Sequence, residues 1–180
     1  MYDTIHYGLA EGSFRVLCTR CFNDEVGRAG GLPGFTHVTF EPVSVAGCDG
    51  SVHEFHFQTR LCPPNVVLDA FEIHDGRRVG YEFQIIGDNE DDLLVLLGRL
   101  IEKIRRSLAS NDLVYGSHGR RIGERGLVRG RIEWDPDSGG ALPMLTIDGQ
   151  PITWEEFGRM LMTYEGCQFK LTIHDLSEEV

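Results

Sequence analysis

A chain of 180 residues with 41% hydrophobic and 25% charged residues has the composition of a globular protein that can bury a core. Its net charge of −11 opposes general attraction to nucleic acid or anionic membrane, and no long apolar run offers a membrane-spanning helix. Five cysteines at dispersed spacing are unlike a secreted disulfide framework, and the first residues form neither a basic nor an apolar leader, so the cytoplasm is the expected compartment.

In chain order, residues 1–13 show no periodicity and are expected to be mobile. The apolar pair Val16-Leu17 then enters a CxxC knuckle, Cys18-Thr19-Arg20-Cys21, followed by Phe22 and Asn23. A Gly/Pro loop at 28–34 separates it from four strand-like runs at 35–45, 52–61, 66–74 and 79–86. In the second run alternation sets His53, Phe55, Phe57 and Leu61 on one face and Glu54, His56, Gln58 and Arg60 on the other. Tandem prolines, Pro63-Pro64, end that run, and Asp75-Gly76 between alternating segments signals a hairpin.

The acids of 88–92 then cap a helix, whose stripe of Leu93, Leu97, Leu100 or Ile101, Ile104 and Leu108 recurs at spacings of three and four. Residues 111–126 read as a Gly- and Arg-rich loop, 127–134 and 143–147 as strands. Thr153 and Glu156 form a capping box for a helix over 154–165, with Gly166 behind it. A last strand is expected over 168–173, then an acidic tail at 177–180. The order ββββ-α-ββ-α-β predicts an α+β fold built on an antiparallel meander, with a knuckle lobe at 1–34 and the main domain at 35–180.

The chemistry begins with the knuckle. Two thiolates three positions apart can bind one tetrahedral cation, so zinc is the expected metal and two further ligands are required. The candidates are His53 and His56, with Cys48 and Cys62 as alternatives. The opposite strand faces of the two histidines count against their joint use unless a bulge re-aims one. A closed four-ligand site of this kind is structural, not catalytic. A redox dithiol is the competing reading. It needs Cys18 at the start of a helix that follows a strand; acids, Asp24 and Glu25, lie just downstream, and Gly27, Gly30 and Gly31 argue against a helix there.

The second feature is an arginine window. Nine of the 17 basic residues lie between Arg99 and Arg131, against three acids, so the window carries +6 and the remainder −17. Arg120, Arg121 and Arg125 beside several glycines could contact phosphates, but no phosphate-loop or dinucleotide motif accompanies them. Pairing of these arginines with the protein's own carboxylates is the simpler expectation. No nucleophile elbow is present, and His6, His37, His74, His118 and His174 are scattered, so no catalytic residue is assigned.

Cys18-x-x-Cys21-x-Asn23, His53-x-Phe55-His56, Gly80-Tyr81-x-Phe83, Gly130-Arg131-Ile132-Glu133-Trp134 and Thr153-Trp154-Glu-Glu-Phe157 together resemble an uncharacterised bacterial family with an N-terminal CxxCxN motif. That resemblance implies no activity, substrate or partner. The expected function is a zinc-stapled binding or scaffold module with an unknown protein partner. The alternatives are an accessory protein that meets nucleic acid or another polyanion through residues 120–131, and a metal-dependent hydrolase with an open site.

Overall fold

A computed structural model of the chain describes residues 3–9, 13–32, 34–117 and 119–178. The fold is α+β, with antiparallel strand pairing throughout. Instead of an irregular arm, the N-terminus forms a hairpin of β1 (Thr4–Leu9) and β2 (Ser13–Cys18), which leads directly into α1 (Thr19–Ala29). Gly27 does not break this helix, because its missing Cβ lets the Leu32 carbonyl approach; a Cβ there would meet that oxygen at 2.8 Å.

The central sheet has the order β3 (Val43–Ala46), β4 (Val52–Cys62), β5 (Asn65–His74), β6 (Arg77–Asp88). The first expected strand is shorter than its apolar pattern suggested, and residues 35–42 carry no regular structure. Asp75 and Gly76, with φ of 51° and 74°, supply the left-handed pair that an Asp-Gly hairpin turn requires. One sheet face packs Phe55, Val66, Leu68, Ala70, Phe83 and Ile85 against Leu96, Leu100, Ile104 and Leu108 of α2 (Leu93–Leu108). The opposite face is polar but satisfied. Buried Asp69 takes Arg60 at 2.7 Å and Gln84 at 2.8 Å, while the Arg78 guanidinium lies 3.7 Å from the Phe71 ring centre.

Beyond α2 the expected loop contains a hairpin, β7 (Leu113–Gly116) and β8 (Gly119–Ile122). A three-stranded sheet follows, ordered β11 (Gln150–Thr153), β10 (Pro143–Ile147), β9 (Gly130–Trp134). Helix α3 (Trp154–Leu161) starts at its capping Thr153, whose hydroxyl accepts the Glu156 N–H at 3.1 Å, and a 3-10 turn continues it through Tyr164. Leu113, Ile122, Ile147, Ile152 and Met160 form a second, smaller core. The strand expected at 168–173 does not form; that stretch carries no regular structure and is exposed, without a pairing edge. His118, Pro33 and the last two residues of the acidic tail lie outside the described residues.

Candidate functional site: an exposed thiol pair on a docked helix

Cys18 is the N-cap of α1, with φ −70° and ψ 158°, and its Sγ accepts the Cys21 N–H at 3.4 Å. A thiolate is favoured at a helix start, where unpaired N–H groups converge. The Cys21 N–H, aided by the Cys21 thiol, therefore holds the Cys18 thiol below its ordinary range; Cys21, which donates to Cys18 and sits beside its charge, is pushed up. Both cysteines are free and exposed. The helix that the glycines argued against thus exists, and with it the local geometry that a reactive dithiol uses.

The residues around the thiols fix the helix. Thr19, between the cysteines, is buried; its hydroxyl donates to Asp3 and accepts Gln58 Nε2 at 2.6 Å. Asn23 is also buried. Its Oδ1 accepts the Leu61 N–H at 2.8 Å and its Nδ2 donates to the Thr59 carbonyl at 2.8 Å. Strand β3 reaches only as far as Phe55 along β4, so one side-chain amide of α1 satisfies part of the β4 edge that no strand covers. The asparagine of the CxxCxN motif is a helix-to-sheet clamp. Thr19, Asp3, Gln58, His37, His56 and Phe71 line a cleft of about 320 Å³ beside it.

The expected second ligand pair does not join the thiols. Among the described residues, no three of His, Cys, Asp and Glu come together as a metal site. Thr19 meets β4 at Gln58, and His53 lies five residues further along that strand, about 16 Å away at the usual rise per residue. The His53 ring is engaged elsewhere, by Glu72 and Ser51. His56 Nε2 lies 3.2 Å from Glu54 and its ring stacks on Phe71. Cys48 Sγ faces the Asn111 Oδ1 at 3.4 Å, and Cys62 is exposed at the end of β4.

His53 belongs to a chain of polar contacts that spacing alone did not reveal. Its Nδ1 is 2.8 Å from Glu72, its Nε2 is 2.7 Å from the Ser51 hydroxyl, and that hydroxyl donates to Asp49 at 2.5 Å. The Ser-His-Glu distances match those of a nucleophile, base and orienting acid. The chemistry does not. Asp49 occupies the hydroxyl and would repel a developing oxyanion, and the nearby N–H groups of Gly47, Cys48, Gly50 and Ser51 are already bonded. The chain staples the 47–51 turn to β5. Asp49 and Ser51 lie in the turn before β4, where strand alternation does not apply, and Glu72, from a different strand, leaves no sequence signal.

In the arginine window, Arg120 bonds Glu156 at 3.1 Å, and Arg125 and Arg129 each bond buried Asp112 at 3.0 Å. Arg131 joins Glu82 at 2.9 Å and Glu133 at 2.6 Å. Arg121 is exposed on β8. Four of the window's eight arginines are thus paired with the protein's own carboxylates.

Three family models match consecutive segments, each described as a domain of unknown function: DUF7685 over residues 1–32, DUF7686 over 36–109 and DUF7713 over 112–178. The first contains the thiol pair and α1, the second the central sheet with α2, and the third the second core. No curated protein and no solved structure matches the chain.

Proposed function

We propose that this chain, whose consecutive segments match three domain models of unknown function, is a binding module whose Cys18 and Cys21 form half of a zinc site. One observation carries the reading: two free, exposed thiols stand at the start of a helix that Asn23 and Thr19 hold on the central sheet. Paired thiols at this spacing suit zinc, and Cys18 is poised to bind as thiolate. No described His, Cys, Asp or Glu joins the two thiols as a third ligand, so in this reading the metal does not bind β4. The metal is structural in this reading, and the Arg121 region is secondary to it. A reducing compartment, the cytoplasm, suits five free thiols.

Elemental analysis of reduced protein, beside a Cys18→Ser/Cys21→Ser variant, tests this. Zinc should accompany the wild type and fall to background in the variant. Wild type free of metal after zinc reconstitution sinks the proposal. The N-cap geometry of Cys18 then favours dithiol–disulfide exchange, read as a reversible Cys18–Cys21 bond.

A further inference from the structure

Residues 168–173 carry strand alternation but have no strand partner. The segment is nevertheless fixed at both ends. The Cys167 N–H donates to the Tyr164 carbonyl at 2.9 Å, and Lys103 Nζ donates to the carbonyls of Leu176 at 2.8 Å and Glu178 at 2.6 Å. Between these anchors no described hydrogen bond uses the backbone of 168–173. All residues of 168–173 are exposed, among them the alternating apolar Phe169, Leu171 and Ile173, to 91%, 73% and 71%. An exposed segment with unpaired backbone groups and apolar residues at alternate positions is a template for strand pairing, and its fixed ends reduce the ordering cost of binding.

The sequence restricts what can pair with it. An antiparallel partner of the same sequence, centred on Leu171, sets Phe169 opposite Ile173, Leu171 opposite Leu171, Lys170 opposite Thr172 and Gln168 opposite His174. All apolar residues then share one face and no like charges meet. A parallel in-register pair, or an antiparallel pair centred on Lys170, stacks Lys170 on Lys170. A half-residue shift of the two-fold axis sets apolar residues opposite polar ones. We propose that residues 168–173 pair with the same segment of a second copy of this chain, about a two-fold axis through Leu171. A bare two-stranded ribbon is only marginally stable, and the exposed Leu161 and Met162 just before the segment supply further apolar surface from each copy.

Sedimentation analysis of the full chain over a wide concentration range tests the pairing. Wild type should reach twice the chain mass, and Leu171→Lys, which sets two ammonium groups on the axis, should halve it while leaving the melting of the monomer unchanged. Thr172 tests the register from an exposed position. Thr172→Glu faces Lys170 twice and should tighten the dimer several-fold, whereas Thr172→Lys should weaken it several-fold. A wild type that stays monomeric overturns the proposal. So does a dimer indifferent to Leu171→Lys, or one shifted equally by the two Thr172 variants, since either points to another surface or register.

Discussion

At the scale of single residues, Asn23 does more to define this protein than its place behind two cysteines suggests. Its one amide serves an N–H and a carbonyl of the β4 edge and also lies 3.1 Å from His37 Nδ1. Asn23→Ala would leave the Leu61 N–H and Thr59 carbonyl buried without partners, a loss on the order of 2–4 kcal/mol. Asn23→Asp should also destabilise: it keeps the acceptor for Leu61 but turns a carboxylate oxygen toward the Thr59 carbonyl. Urea unfolding of both variants measures this. Wild-type stability in Asn23→Asp would mean that the bond to Thr59 contributes nothing. Nothing in the sequence distinguishes Asn23 from a polar residue on a solvated helix face, because the groups it satisfies lie 36 and 38 residues away.

At the scale of elements, legibility followed how local the determining forces are. The α2 stripe, the Thr153 cap and the Asp75-Gly76 turn depend on residues within a few positions, and all three form. Helix α1 was missed because Gly27 looks like a breaker in sequence yet is the point where the following loop closes onto the helix. Strand 168–173 was expected from alternation alone, but alternation describes a face and cannot supply an edge to pair with. The expected metal set does not assemble among the described residues for the same reason. Proximity in sequence of Cys48, His53 and His56 says nothing about where along β4 the helix docks.

Gly80 shows the element scale at its most exacting. It sits in β6 at φ 82°, opposite a shift in register between Phe71 and Ile73. Glu72 fills the space that a side chain at 80 would need; a Cβ would overlap its Oε2. That oxygen accepts the Tyr81 N–H at 2.7 Å while Oε1 meets His53. Gly80→Ala should therefore cost about 3 kcal/mol or more, combining left-handed strain with eviction of a buried, bonded carboxylate. Gly76→Ala is the control: φ is 74° but the space is open, so only the strain of about 1–2 kcal/mol applies. Equal losses in the two variants would show that Glu72 can move aside freely.

At the scale of the whole molecule, the question is how the two cores are joined. The Arg131–Glu82 ion pair crosses from β9 to β6, and the Tyr81 ring lies against Gly149 so closely that a Cβ there would meet it at 2.7 Å. Tyr81 also stacks on Phe83 and takes the His53 ring edge-on, so it is packed from both sides of the junction. Burial, reinforced by the negative charges of Asp148, Glu72 and Asp49, pushes its hydroxyl well above the ordinary value of 10.0. The linkage has a definite sign. In the unfolded chain Tyr81 loses its proton near pH 10, whereas in the folded chain it keeps it, so the folded state binds the extra proton there. Stability is fully present below pH 10 and falls as pH rises above it, until the folded hydroxyl also ionises. Tyr81→Phe retains the ring and removes the titration, so its stability should fall less steeply with alkali than that of the wild type. Denaturant midpoints taken on both sides of pH 10 give the comparison. Parallel decline of the two proteins would mean that the Tyr81 hydroxyl ionises freely in the fold, and that the junction between the cores is looser than its packing implies.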